Sequence, residues 1–134
     1  MQQLKALPMF RGCTPKDLKK VASLGTRVSV ARGRQLTRVG ERGTEVFIVL
    51  SGTAECVVHN AVVAQFGTGD FFGEIAMLDG GTRTATVIAE TDMELLVFNR
   101  HEFLTLVKAS PVVAHRMLEA MARRVRRADA IMVG

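Results

Sequence analysis

The sequence has few cysteines and no long hydrophobic run. Its two cysteines, Cys13 and Cys56, lie far apart, outside any C-x-x-C motif and away from any pair of histidines. This spacing argues against a metal or redox centre and favours two reduced, partly buried thiols. No apolar run approaches the roughly 20 residues of a membrane helix. A proline follows Met1–Lys5 where a signal peptide would have an apolar segment. We therefore expect a cytoplasmic location, no membrane partner and no metal.

The sequence also lacks a recognisable catalytic arrangement. His59, His101 and His115 are scattered, and none has an acidic or nucleophilic companion at catalytic spacing. No pair of carboxylates suggests general acid and base chemistry. We expect no enzyme activity and no catalytic cofactor.

The overall composition is typical of one globular domain, which we assign to residues 1–134. Apolar residues make up 48% of the chain and charged residues 23%. The net charge is +5, and four arginines are concentrated between Arg123 and Arg127. Such a cluster is either a solvated helix face or a contact for nucleic acid. Because no second, DNA-reading unit is recognisable, we do not expect this chain alone to bind nucleic acid.

Between residues 26 and 99 the hydrophobic pattern has a period of two, and glycines interrupt it at short intervals. This pattern predicts a mainly β architecture that is closed or built of two sheets. The predicted strands are Arg27–Ala31, Gln35–Val39, Glu45–Leu50, Thr53–His59, Ala61–Phe66, Arg83–Ala89 and Met93–Phe98. One helical turn is predicted at 73–78.

Helices are predicted on both sides of the β region. Thr14 is a good N-cap before Pro15, and Gly25 should end that helix, which gives a helical cap over residues 1–25. Asn99 and Glu102 form an N-x-x-E capping box that opens a pair of helices over residues 100–132. In the last helix, apolar residues recur at steps of three and four, which predicts a seam. The seam residues are Leu118, Met121, Val125, Ala128 and Met132. They either form a dimer interface or pack on the β region.

The stretch from Phe71 to Val87 carries the chemistry of a binding site. Gly73 precedes a short helical run, whose N-terminal amides and positive dipole end favour an anion. Arg83 offers a planar guanidinium that can hold two phosphate oxygens. Glu74 would repel a phosphate, so a ribose hydroxyl is its natural partner. Phosphate and ribose on one loop indicate a nucleotide.

Two motifs in this stretch resemble the phosphate-binding cassette of cyclic nucleotide-binding domains, the family of the catabolite activator protein and the kinase regulatory subunits. They are Phe72-Gly73-Glu74-Ile75-Ala76-Met77-Leu78 and Arg83-Thr84-Ala85-Thr86-Val87. The resemblance covers about Leu7 to Arg127. It implies a double-stranded β-helix, which is a jelly-roll-like β-roll, over residues 26–99. It also places the cassette at 71–87 and adds an N-terminal helix and two C-terminal helices.

The resemblance implies a set of ligand-binding residues. Those for the phosphate and ribose are Gly73, Glu74, Ile75, Ala76, Arg83 and Thr84. Residues that could line or cap the purine are Val49, Val58, Arg124 and Ala128. No serine or threonine is present in the region that matches the family's capping helix.

The resulting hypothesis is a cyclic nucleotide sensor whose C-terminal helices report binding to an output domain or partner. We favour cAMP over cGMP, although a threonine at the position of Thr84 favours guanine in some members of the family. The last helix is a candidate interface for a homodimer, with packing on the β region as the alternative. Two alternatives are a β-roll interaction module that binds no ligand, and the effector domain of a DNA-binding regulator without its helix-turn-helix.

Overall fold

The computed structural model describes residues 2–133, except for the side chains of residues 2, 75, 77, 79 and 128–133. Five α-helices, one 3₁₀ turn and eight strands are found in this part of the chain. The helices are α1 Gln2–Lys5, α2 Pro15–Leu24, α3 Glu74–Asp79, α4 Arg100–Ala109 and α5 Pro111–Val133, and the 3₁₀ turn is Pro8–Phe10. The strands are β1 Thr26–Val30, β2 Gln35–Thr37, β3 Glu45–Ser51, β4 Ala54–Val58, β5 Ala61–Phe66, β6 Phe71–Phe72, β7 Thr86–Ala89 and β8 Met93–Asn99.

The strands form two four-stranded antiparallel sheets. Their orders are β1-β8-β3-β6 in the first sheet and β2-β7-β4-β5 in the second. Strands that are distant in sequence are therefore neighbours in space, as in β1 with β8 and β2 with β7. The prediction of a mainly β roll with helices at both ends is confirmed.

The central strand β3 is buried on both of its faces. Val46, Ile48 and Leu50 point to a core shared with the helices. Phe47 and Val49 point to the other core, which lies between the two sheets. The same division occurs in β8, the neighbour of β3. Because side chains alternate across a strand, one apolar run supplies both cores.

Capping side chains define where the helices begin. The Thr14 hydroxyl accepts a hydrogen bond from the backbone N–H of Asp17, and Asn99 caps α4 with Glu102 in the same way. In both cases the acid at the third position accepts from the N–H of the capping residue, which completes a capping box. The predicted starts of α2 and α4 are therefore confirmed.

Several elements differ from the predicted ones. The strand predicted at Gln35–Val39 ends at Thr37. The strand predicted at Arg83–Ala89 begins only at Thr86. The Thr37 hydroxyl takes the place of part of the backbone hydrogen bonding between β2 and β7. It donates to the carbonyl of Ala85 and accepts from the N–H of Val87. The two-residue strand β6 was not predicted, and neither was the 3₁₀ turn at Pro8–Phe10.

The predicted seam of α5 divides into buried and exposed residues. Met121 packs against the core shared with the helices. Leu118 and Val125 are 64% and 59% exposed, although they are apolar and lie two turns apart. Their side chains therefore do not pack on this chain's β-roll. Ala128 and Met132 lie outside the residues whose side chains are described.

Candidate functional site

Gly73 sets the geometry of the cassette. It is the N-cap of α3 and has φ of 92°, a left-handed conformation that favours glycine. An added Cβ would lie 2.6 Å from the Nη1 atom of Arg83 and 2.8 Å from the carbonyl oxygen of Glu45. Glycine is therefore required both by its backbone conformation and by the close approach of two neighbours.

Arg83 is held in place by the backbone of two loops. Its Nη1 donates to the carbonyl of Gly73 at 3.0 Å, and its Nη2 donates to the carbonyl of Glu45 at 2.7 Å. Its own backbone N–H donates to the carbonyl of Glu41. The residue is only 8% exposed, and burial lowers the pKa of its guanidinium, which stays charged. These bonds use two of its five N–H groups and preorganise the others.

Glu74 is a buried carboxylate that forms an ion pair with the last helix. It is 4% exposed, and its Oε1 accepts from Arg124 Nη1 at 2.7 Å. Burial raises the pKa of Glu74, while the charge of Arg124 opposes that rise. Arg124 also donates to the carbonyl of Phe71. Because Arg124 lies on α5 and Glu74 on α3, this pair links the cassette to the C-terminal helix.

Three phenylalanines form a stack between the two arginines. Phe72 stacks on Phe47 and on Phe66, with ring centroids 4.8 Å and 5.1 Å apart. The guanidinium of Arg83 lies 5.8 Å from the Phe47 centroid, and that of Arg124 lies 5.3 Å from the Phe66 centroid. The stack gives each guanidinium an aromatic neighbour and helps to fix its position.

A cavity of about 490 Å³ opens beside these residues, within the size range of small-molecule sites. Its polar wall includes Glu74, Arg83, Thr84 and Arg124. Gly73 and Ala76 also line the cavity. The other wall is largely apolar and is formed by residues of β4, β5, β6 and β7. These apolar wall residues are Cys56, Val63, Ala64, Phe66, Phe72 and Val87.

The structure brings most of the predicted site residues to this cavity but places two elsewhere. Val49 is fully buried in the core between the sheets, because it points inward from β3. Val58 lies at the end of β4 and is not among the described residues that line the cavity. Instead, Cys56 of the same strand lines it, together with Val63 of β5. The side chains of Ile75 and Ala128 lie outside the described part of the chain.

Sequence reasoning placed apolar strand residues around the purine but missed most members of the apolar wall and the aromatic stack. Phe72 belongs to the recognised motif, and Phe66 comes directly before Gly67, so both carried a weak signal. Val63 carried none, because β5 is an exposed edge strand whose two faces look alike in sequence. The assignment of these side chains to the cavity depends on the strand register.

The fold and this geometry define a class of protein. A β-roll that carries a cavity lined by a fixed guanidinium, a buried carboxylate and an apolar wall is a binding domain.

Comparison with known proteins identifies the family within this class. The family model described as cyclic nucleotide-binding domain matches residues 27–110, and this chain belongs to that family. The cyclic AMP receptor protein of Thermus thermophilus is 33% identical over 131 residues, covering 94% of this chain. A cyclic nucleotide-gated potassium channel of Mesorhizobium japonicum is 34% identical over 113 residues, covering 84% of this chain. The family is a regulatory, ligand-binding one.

A solved structure supports the same relationship. The crystal structure of the Thermus thermophilus catabolite activator protein matches with a TM-score of 0.84 and 32% identity, and the match covers 93% of this chain. The match covers 61% of that solved chain, and this chain likewise spans 61% of the receptor protein and 31% of the channel. In those relatives the shared domain is joined to further sequence. Among residues 2–133, no helix combines the length and apolar character needed to cross a bilayer.

The ion pair between α3 and α5 predicts a pH-dependent stability. We expect Arg124→Gln to reduce the free energy of unfolding by about 1–3 kcal/mol at pH 7–8, because it leaves Glu74 buried without its cation. Burial raises the pKa of Glu74 and the charge of Arg124 opposes that rise, so the pair stabilises the fold when Glu74 is ionised. The difference between wild type and variant should shrink as the pH falls and Glu74 is protonated.

Urea titrations at pH 8, 6 and 4.5 would measure this effect. In the matched control Glu74→Gln, the further change Arg124→Gln should cost much less, since no buried carboxylate remains. A cost of Arg124→Gln that is the same at every pH would contradict the prediction.

Proposed function

We propose that this domain is a cAMP sensor and that α5 reports the occupancy of its cavity. The observation that carries the proposal is the convergence of Arg83, Glu74 and Arg124 on one cavity. Two of these residues come from the cassette, and the third comes from the C-terminal helix. A ligand at the cassette is therefore sensed by α5 through a direct side-chain contact.

The proposed binding mode assigns each part of the ligand to one part of the wall. The cyclic phosphate lies against the guanidinium of Arg83, the Thr84 hydroxyl and the N-terminal amides of α3 at residues 74–76. The first amides of a helix have no partner within the helix, so they are available to an anion. The ribose 2′-hydroxyl donates to Glu74. The purine packs on the apolar wall between Val63 and Val87.

The preference for cAMP over cGMP rests on the relatives. The receptor protein that matches 94% of this chain is named for cyclic AMP. Thr84 is exposed and lines the cavity, so its hydroxyl can also meet the guanine amino group. Affinity for cGMP is therefore expected to be measurable but weaker.

Transmission to an output follows from competition for Glu74. A ribose hydroxyl that donates to this carboxylate competes with Arg124, whose guanidinium then loses its 2.7 Å partner. Binding thus shifts the position of α5 by differential affinity for two arrangements of the helix. The output itself lies in sequence beyond this domain or in a partner chain, since the relatives are longer than the matched region.

Calorimetric titration with cAMP, cGMP and 5′-AMP tests the proposal. We expect micromolar or tighter binding of cAMP, weaker binding of cGMP and no binding of 5′-AMP, because its phosphate is not closed onto the ribose. A folded protein that binds neither cyclic nucleotide would refute the sensor function. That outcome would favour the interaction module.

The exposed apolar face of α5 supports a homodimer as the signalling form. Leu118 and Val125 lie on one stripe, and both are more than half exposed. We expect Leu118→Glu with Val125→Glu to abolish self-association in sedimentation velocity, whereas Val39→Glu, at another exposed valine, should not. A wild-type chain that is monomeric at high micromolar concentration would contradict this proposal.

We place this sensing in the cytoplasm. Both cysteines are free, and burial raises the pKa of each thiol, so neither is a reactive thiolate. Free thiols of this kind are typical of a reducing compartment.

A further inference from the structure

A second cavity adjoins the cavity beside Arg83 and Glu74, which we call the nucleotide cavity, and the two share Asp70, Arg124 and Arg127. Its volume is about 360 Å³, and it is enclosed by the 3₁₀ turn, the loop before β6 and helix α5. We call it the rear groove. Its lining includes five arginines and two acids. The arginines are Arg11, Arg116, Arg123, Arg124 and Arg127, and the acids are Asp70 and Glu119.

The acids of the rear groove neutralise only part of this charge. Glu119 is engaged by Arg116 at 3.0 Å, and Arg116 also donates to the carbonyl of Arg11. Asp70 accepts from the backbone N–H of Gly67 and forms no ion pair with a described residue. The groove therefore keeps a net positive charge.

Three of the arginines in the rear groove are exposed, namely Arg11, Arg123 and Arg127. Among the described side chains, none of the three donates a hydrogen bond or forms an ion pair. Arg123 is near enough to Glu119 to help lower the pKa of that carboxyl, which Arg116 already lowers more strongly through a hydrogen bond. Guanidinium groups that converge on a concave site without fixed partners are suited to phosphate oxygens, which they can hold in pairs.

We propose that the rear groove binds a compact polyanion, with a pyrophosphate or polyphosphate group as the ligand class. Several unpaired guanidiniums around one concavity match a ligand with several adjacent negative charges better than a single phosphate. An extended polymer would need a surface stripe, whereas these arginines converge from the N-terminal segment and from α5. No part of this site coincides with Arg83 or with the α3 amides.

The rear groove and the nucleotide cavity share Asp70, Arg124 and Arg127, and Arg124 is the one that pairs with Glu74, so their ligands should influence each other. This coupling rests on the proposed function. A polyanion in the groove attracts the Arg124 guanidinium and weakens its ion pair with Glu74. A ribose in the nucleotide cavity also weakens that pair, because its hydroxyl competes with Arg124 for Glu74. The ligand that binds second no longer has to break the Arg124–Glu74 ion pair, because the first ligand has already weakened it. Each ligand should therefore increase the affinity of the other.

Direct titration with sodium pyrophosphate, without nucleotide, tests the groove. At constant ionic strength we expect saturable binding that sodium sulfate does not reproduce. The double variant Arg11→Gln with Arg123→Gln should weaken this binding by about tenfold or more, since both residues line only the rear groove. Arg126→Gln, an exposed change on the same helix, should leave it unaltered, and Arg83→Ala should retain it.

Two outcomes would overturn the site. Pyrophosphate binding that is absent, or that is equally weakened by Arg126→Gln, would show only diffuse attraction to a basic protein. Binding that is lost in Arg83→Ala but kept in the double variant would place the anion in the nucleotide cavity. Neither outcome depends on cAMP, so a failure of the proposed function is seen separately in the nucleotide titration.

The coupling is measured by repeating the cAMP titration with saturating pyrophosphate. We expect cAMP affinity to rise by about fivefold and the rise to disappear in Arg124→Gln. An affinity that is unchanged or lowered in the wild type would overturn the coupling.

Discussion

Arg83→Ala is expected to reduce cAMP affinity by about 30-fold to several thousand-fold, which corresponds to about 2–5 kcal/mol. The guanidinium is the buried cation of the cavity, and two backbone carbonyls hold it in the orientation in which it meets a phosphate. Removing it abolishes the charge-assisted bonds to the ligand. The variant also loses the bonds that tie the cassette to β3.

Arg83→Lys separates the contribution of the positive charge to cAMP affinity from the contribution of the planar guanidinium shape. An ammonium keeps the positive charge but cannot donate to both carbonyls and to a phosphate in one plane. We therefore expect affinity between that of the wild type and that of Arg83→Ala. Arg34→Ala removes an exposed arginine away from the cavity and controls for net charge. Calorimetry gives the affinities and thermal unfolding checks the fold, and wild-type affinity in Arg83→Ala would disprove its role.

Gly73→Ala is expected to be nearly as damaging, through the backbone. A left-handed conformation costs a residue with a Cβ about 1–3 kcal/mol. The new Cβ would also lie within 2.8 Å of the Glu45 carbonyl and even closer to Arg83, so the cassette or the arginine must move. We expect a lower free energy of unfolding, and cAMP affinity reduced by about tenfold or more because Arg83 is displaced.

Gly33→Ala is the matched control for this change. Gly33 has φ of +90°, close to that of Gly73, but an added Cβ there would meet no atom within 4 Å. Gly33→Ala should lower the free energy of unfolding only by the cost of the left-handed conformation. Its cAMP affinity should be unchanged. Urea titration and calorimetry on both variants separate the two contributions. Equal effects of the two substitutions on cAMP affinity would contradict the steric argument.

Local sequence was enough to predict the elements whose signals are local. The capping pairs at Thr14 and Asn99 act within four residues, so the starts of α2 and α4 could be predicted. Alternation of apolar residues revealed most of the strands. The two-residue strand β6 is too short to show a period, and it forms only because β3 lies beside it. Strand β7 starts late because Thr37, far away in sequence, replaces part of its ladder.

The candidate site shows the same division between local and long-range information. The cassette could be recognised because its glycine, its carboxylate and its arginine all lie between positions 73 and 83. The purine wall could not, because a shift of one residue in strand register exchanges the two faces of a strand. Val49 was therefore assigned to the ligand although it faces the core, Val58 was chosen on β4 in place of Cys56, and Val63 was overlooked.

The sequence by itself determined the family, the mainly β roll and the short stretch that carries Glu74 and Arg83, since each depends on neighbours along the chain. Only the tertiary structure decided that Arg124 meets Glu74, although 50 positions separate them. That contact needs α5 to pack across the roll, and packing is decided by the whole apolar core. The link between the cavity and the C-terminal helix is therefore a product of the fold, and no local pattern encodes it.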